Sequence, residues 1–452
     1  MSLNGAMNVA LTGLLAHQSA LQVVGGNVSN ATNPNYTRKT QETTATAGGV
    51  LVTAVERATD QALAKDLLAY SSLAGETGVQ SKYLDKLSTL VGGSDGSARL
   101  ATAAEDFATA WTVLQATPDS STAQADVIAK ADAFAAAVNA LVAGIDSVDR
   151  EVQSATADTV DEINGLLTKI DRLNDQISAG NGAAANTLDL QDERDAAVRD
   201  LSALVDVKTI ARSDGGLAVF TTSGLTLVDQ SAVQLAYDGT DVTRAGDASS
   251  LNGVFRAGEL AGLLALREPG PSAEAGTGTI AGLRDQVTAL AAMFTDTSPG
   301  TFAAAYDGAA TGTGELADSF FVMTGSTLSV NPALLDGSAR LKQAAVNDVQ
   351  TALEAGSRSL AIGGLTVSGK DYAGLAGAIT TSLTAEAGTV RDKAELAEAT
   401  RTEALTRFES AVGINMDTEL ANLQVLQNAY AASAKVMQAV NQLYNDLFAI
   451  MG

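Results

Sequence analysis

The sequence predicts a mainly α-helical protein carrying an inserted α+β domain, and three observations lead there. Both ends of the 452-residue chain place apolar residues in a heptad rhythm. Helical periodicity dominates from about residue 56 to 204 and returns from Tyr372 to Ser410. From Val205 the period shortens toward two, with Gly-containing turns between short β-branched runs.

The N-terminal helix reads from Leu3, Met7, Ala10, Leu14, His17, Leu21, Val24 and Val28, which alternate steps of four and three. The C-terminal helix reads from Met416, Leu420, Leu423, Gln427, Tyr430, Ala434, Met437, Asn441, Tyr444, Phe448 and Met451. Leu426, Val436, Val440, Leu443, Leu447 and Ile450 widen its apolar face. Residues 1–37 contain no charged side chain, and from Val412 to Gly452 only Asp417, Glu419, Lys435 and Asp446 are charged. A solvated helix normally carries charge on its outer face, so these two are expected to be enclosed by other copies or partners. The expected assembly interface comprises Leu3, Met7, Leu14, Leu21, Val24, Val28, Leu420, Leu423, Tyr430, Met437, Tyr444 and Phe448. An intramolecular coiled coil joining the two termini is the alternative.

Between the ends, Asn33-Pro34-Asn35 stops the first helix, and a Thr-rich extended stretch runs to about Val55. A helical stretch follows through Tyr83 to Leu90, then a break at Gly92-Gly93-Ser94-Asp95-Gly96. Phe107, Trp111 and Leu114 mark the next helix, which ends near Pro118. The segment from about Thr122 to Ile177 is too long for an ordinary globular helix and predicts an elongated rod, with one interruption near Gly144. Gly180-Asn181-Gly182 forms a loop before a helix from Leu188 to Leu204. Val207–Ile210, Leu217–Phe220, Leu225–Val228 and Val233–Ala236 are expected strands, as are Phe320–Met323 and Thr327–Val330. Helices are expected over Glu259–Arg267 and Ile280–Phe294, and Gly276–Gly282 reads as loop.

Composition narrows the function. A net charge of −24 disfavours nucleic acid and anionic membrane surfaces, and no run of 18 apolar residues offers a bilayer span. With no cysteine and one histidine, His17, thiolate chemistry, Cys-based or His-pair metal sites and a Ser-His-Asp triad are excluded. The cluster Asp189, Asp192, Glu193 and Asp195 has carboxylates enough for acid–base or metal chemistry. Arg194 lies among them, however, and Asp195 stands four residues before Arg199, the spacing of a helical ion pair. Asp192, Arg194, Asp195 and Arg199 therefore read as a structural ion-pair region. No catalytic residue, cofactor or metal site is expected.

Three stretches resemble a known family. Asn27-Val28-Ser29-Asn30-Ala31-Thr32-Asn33-Pro34-Asn35-Tyr36-Thr37-Arg38 resembles the N-terminal signature of flagellar axial proteins, with Asn35 where that family has Gly. Val412 to Leu423, continuing to Tyr430 and Val436, is similar to their closing helix. Leu173 to Ile177, Asp192 to Asp195 and Leu201 to Val205 resemble the flagellar hook-associated protein 1 family, with Glu193 at a position where Gln is usual. The resemblance implies a non-enzymatic structural protein of the bacterial flagellum that assembles through its terminal helices and joins hook to filament. It implies export without a cleaved signal, and self, the hook protein, the next junction protein, the filament and an export chaperone at the C-terminal helix as partners. Asn30, Asn33, Tyr36 and Arg38 would form a domain-junction motif that sets the angle between terminal helices and body; on the plainer reading they merely end the helix. The implied division is 1–40 plus 412–452 for assembly, 41–205 plus 371–411 as a helical rod, and 206–370 as the inserted outer domain. A hook or rod protein of the same export class remains an alternative, as does a secreted adhesin or carboxylate-based hydrolase.

Overall fold

The computed structural model describes residues 2–92, 99–180, 185–267 and 279–451. Helix α1 (Leu3–Ser29) is capped by the Ser2 hydroxyl, which accepts the Gly5 N–H. An antiparallel hairpin of β1 (Lys39–Thr46) and β2 (Gly49–Arg57) follows and lies against α1. Helices α2 (Gln61–Gly92), α3 (Arg99–Ala116), α4 (Ser121–Ala179) and α5 (Ala185–Leu204) come next. A three-stranded antiparallel sheet, β3 (Val207–Ala211), β4 (Leu217–Thr221) and β5 (Thr226–Val228), leads to a ribbon of β6 (Leu235–Tyr237) and β7 (Val242–Arg244). Helices α6 (Glu259–Arg267), α7 (Thr279–Ala292) and α8 (Phe302–Asp307) precede the ribbon of β8 (Phe321–Thr324) and β9 (Thr327–Val330). Helices α9 (Pro332–Leu335) and α10 (Val346–Glu354) and the ribbon of β10 (Arg358–Ile362) and β11 (Leu365–Lys370) complete this region. The chain closes with α11 (Tyr372–Val412) and α12 (Met416–Met451).

Helix α4 runs 59 residues without the interruption expected at Gly144. One glycine costs a helix about 1 kcal/mol relative to alanine, and the buried Val138, Val142, Ile145 and Val148 around it outweigh that. Gly144 instead admits a neighbour: a Cβ there would stand 3.1 Å from a methyl of Leu90 on α2. Part of α4 is long and apolar enough to cross a membrane by composition, contrary to the reading that no segment is. Its apolar face is spent on the protein core, where Val127, Phe134, Val138 and Ile145 are fully buried.

Two apolar cores hang on α4. The first collects Phe107, Trp111, Phe134, Phe294, Phe302, Tyr306, Phe320 and Phe321 together with residues of α2, α7, α10 and α11. The chain has only ten phenylalanines, so this core holds most of its aromatic surface; ring centroids such as Phe134–Phe294 lie 4.7 Å apart. The second core gathers Val160, Ile163, Leu167 and Ile170 of α4 against α5, β3–β5 and α6.

Most expected elements form within a residue or two. Gly282 lies inside α7, not in a loop, and β7, α8, α9, α10, β10 and β11 were not foreseen. The breaks at 93–96 and 181–182 lie outside the described residues.

Candidate functional site

Helices α1 and α12 pack antiparallel. The Tyr444 hydroxyl donates to Asn4, Gly13 faces Ser433, and Asn27 donates to Glu419 at 3.1 Å. Small residues set the approach, with Ala10, Gly13 and Ala16 buried on α1. Val24 is buried as well, while Leu3, Met7, Leu14, Leu21, Val28 and His17 are half-buried.

On α12 the face toward α1 follows Glu419, Leu423, Leu426, Ser433, Met437, Val440 and Tyr444, all buried or half-buried. That row keeps the heptad steps but is displaced by three residues from the expected seam, sharing only Leu423, Met437 and Tyr444 with it, while Tyr430 is exposed. Leu420 is 49% exposed and Phe448 69% exposed, so both point away from α1. The physical reason is the width of the apolar face: it is broader than one partner helix covers, and the edge holding Leu426 and Val440 took the contact. The remaining edge, with Val436, Leu443, Leu447 and Ile450, is open. Val9, Leu11 and Leu15 are open on α1. Twelve of the 22 exposed large hydrophobics among the described residues lie on these two helices.

At the base of the pair the two sequence-predicted polar regions meet. Asn30 closes α1, its side-chain amide donating to the Gly26 carbonyl at 2.9 Å. Tyr36 N–H donates to the Asn33 carbonyl (3.2 Å) and Asn35 N–H to the Asn33 side chain (3.1 Å), which makes a turn with Pro34 at its first central position. Asn35 in the usual glycine position therefore leaves the turn intact. Its side chain also accepts from Arg199 at 2.9 Å.

Beyond the turn, Thr37 donates to Asp192 through both its N–H and its hydroxyl (3.3 and 2.6 Å). Asp192, 5% exposed, also takes Arg57 at 3.0 Å and Lys39 at 3.6 Å. Asp195 takes the other arm of Arg57 at 2.6 Å, and Asp189 pairs with Lys39. The Asp195–Arg199 pair expected from their spacing is not made. Arg57 on β2 reaches Asp195 instead, and Arg199 turns to Asn35 and the Phe408 ring. Arg194 lies 3.6 Å from Asp195 and donates to Asn174 and the Gly215 carbonyl. Burial pushes the Arg194 guanidinium down and neighbouring Asp195 opposes that. Glu193, where an amide is usual, pairs with Lys169 at 3.2 Å.

Asn27 and Glu419 were missed by the site prediction and are the centre of this junction. Asn27, fully buried, accepts Lys39 N–H (3.0 Å) and Tyr36 hydroxyl (3.2 Å), and donates to the Lys39 carbonyl (2.8 Å) and Glu419. Glu419, 1% exposed, takes Arg38 at 2.6 Å. The available signal was the charge map: the first cation after a neutral terminus pairs with one of the few carboxylates in the other.

Tyr36 sits among these carboxylates with Lys39 4.2 Å over its ring. Burial first, then Asp189, Asp192 and Glu419, push its hydroxyl from 10.0 to about 12. The folded chain thus keeps a proton that the unfolded chain releases near pH 10, so Tyr36's contribution to stability is full below pH 10 and falls as pH rises toward about 12. The phenolate absorbance lost in a Tyr36→Phe variant is expected to titrate near the higher value; titration near 10 would contradict it.

Chemically the junction is a set of cations, carboxylates and amides bonded to one another; among the described residues no three His, Cys, Asp or Glu side chains are grouped to hold a metal. Comparison with known proteins agrees with that character. The helical-domain model of flagellar hook-associated protein FlgK matches residues 84–316, and the C-terminal model of flagellar basal body rod FlgEFG proteins matches 406–450. Flagellar hook-associated protein 1 of Escherichia coli (strain K12) is 25% identical over 99% of this chain and 100% of its own length. The Salmonella typhimurium protein of that name is 29% identical over 59% of this chain and 52% of its own, and that of Bacillus subtilis is 25% identical over 49% and 47%. Among solved structures, the flagellar hook junction protein FlgK from Burkholderia pseudomallei aligns with a TM-score of 0.49 and 25% identity, over 57% of this chain and 47% of that one.

Proposed function

The chain belongs to the flagellar hook-associated protein FlgK family, and from that premise we propose that it enters the bacterial flagellum through the α1–α12 pair, with equivalent helices of other copies covering the open edge of α12 and the outer face of α1. The family is structural, and its place is the junction of hook and filament, outside the cell. The observation that carries the assembly reading is the concentration of exposed apolar side chains on two helices nearly free of charge. Apolar area removed from water contributes on the order of 25 cal/mol per Å² before ordering costs. The ion-pair junction of Asn27, Arg38, Asp192 and Glu419 transmits load between that pair and the body.

In this reading residues 1–40 and 412–452 form the assembly domain, 41–205 and 371–411 the rod, and 206–370 the outer domain. The neighbours are further copies, the hook protein, and the next junction protein leading to the filament. An export chaperone covers the apolar edge of α12 before assembly, and no cleaved signal is used. The match of the FlgK helical-domain model over 84–316 favours a junction protein over a hook or rod protein.

Electron microscopy of cells lacking this gene tests the reading. Hooks without filaments, with filament subunits lost to the medium, are the expected result. Absent hooks would move the protein to the rod or hook, and normal filaments would refute an essential axial role.

A further inference from the structure

Both apolar cores are built on the same three helices, α2, α4 and α6, and we propose that the polar stretch between them is a flexure at which the two halves of the body bend. On α4, Val152 belongs to the first core and Val160 to the second. Between them Thr156 and Thr159 are buried, at 0% and 5% exposure. Each hydroxyl donates to the carbonyl four residues earlier, Val152 at 2.7 Å and Ala155 at 2.8 Å. On α2, Leu68 belongs to the second core and Val79 to the first, and the buried Ser72 and Thr77 between them do the same, to Leu68 (3.0 Å) and Leu73 (2.8 Å). A hydroxyl bonded to its own helix competes with the ladder N–H for that carbonyl and bends the helix. The same bond recurs at Thr89 of α2 and Thr168 of α4, but the buried hydroxyls that make it on these two antiparallel helices all fall between the two cores, where they form a hinge line.

The packing at this level also differs from that of the two cores. Close-packed apolar cores resist deformation because their side chains interdigitate. Here α2 meets α5 backbone to backbone: Gly75 lies so close to the Ala203 carbonyl that a Cβ would come within 2.1 Å, and the Ser72 hydroxyl donates to the Ser202 carbonyl at 2.7 Å. Helix α6 lies across the boundary as a wedge, with Leu260 and Leu264 in the second core and Leu263 and Leu266 in the first.

Arg267, at the end of α6, limits the motion. It donates to Asp149 of α4 at 2.9 Å, to the Tyr237 hydroxyl at 2.7 Å and to the Gly239 carbonyl at 2.8 Å. That side chain ties the first-core half of α4 to the β6–β7 ribbon of the second core. A protein that joins two structures of different stiffness uses such compliance, so the functional meaning of the flexure rests on the proposed junction role; its existence does not.

The full chain contains no cysteine, which permits paired spin labels. Ala133→Cys with Thr209→Cys spans the boundary from two exposed positions, and Ala133→Cys with Val113→Cys lies within the first-core half as a control. Pulsed dipolar spectroscopy is expected to give a wider distance distribution for the spanning pair than for the control. Arg267→Ala should broaden it further, and Thr156→Val with Thr159→Val should narrow it toward the control. A spanning distribution as narrow as the control, or one that neither variant changes, overturns the flexure and leaves the assembly reading untouched. A flexure without assembly would overturn only the latter.

Discussion

Replacing Asp192 by alanine is expected to destabilise the protein by about 3–5 kcal/mol, the cost of removing one partner from a buried ion pair. Asp192 is 5% exposed and its partners cannot turn to water: Lys39 is 8% exposed and the Arg57 side chain 13%. Without the carboxylate, Thr37 loses both of its bonds, and Lys39 and Arg57 keep only Asp189 and Asp195 at the rim. The comparison that isolates burial is Asp195→Ala, since Asp195 binds the same Arg57 from a side chain 34% exposed. A pair at that exposure is worth no more than about 1 kcal/mol. Denaturant unfolding of both variants decides the matter. Equal losses would mean that Arg57, not Asp192, organises the junction. Hydrogen exchange adds the location, because the Thr37 amide should lose protection in Asp192→Ala and keep it in Asp195→Ala.

The junction was half legible in the sequence, and the reason is distance along the chain. Spacing rules see neighbours on one helix, so they proposed Asp195 with Arg199 and missed Asp192 with Thr37, which are 155 residues apart. Local turn chemistry, by contrast, was readable: Asn33-Pro34-Asn35-Tyr36 makes the turn its residues favour. Long elements were legible for a similar reason. Helix α4 repeats its apolar period over 59 residues, enough to override the glycine that argued for a break. Helices α8 and α9, of six and four residues, are too short to show a period. The Gly363-Gly364 ribbon turn between β10 and β11 hid its strands among small residues. The phase of the α12 heptad was not legible at all, because an apolar face wider than one partner supports two seams, and only packing chooses between them.

That surplus width yields the largest expected functional effect. Leu443→Glu together with Leu447→Glu is expected to leave the isolated chain as stable as before and to remove filaments from cells. Both side chains are about half exposed, at 54% and 47%, and neither belongs to the row facing α1. Exposed substitutions of this kind usually change stability by no more than about 0.5 kcal/mol. In an assembled core the same carboxylates would be buried without partners, at a cost of several kcal/mol for each. Repeated in every copy, that penalty is enough to prevent a stable junction. Ile210→Glu is the control, since Ile210 is 60% exposed on β3, away from both terminal helices. Thermal melting establishes that the double variant folds, and microscopy of complemented cells counts filaments. Normal filaments on the double variant would show that the outward edge of α12 is not enclosed. Loss of filaments with Ile210→Glu as well would show that the effect follows added charge anywhere on this already acidic chain. Loss confined to α12 would leave one explanation for a terminal helix so nearly free of charge: in the assembled state it has no solvent face.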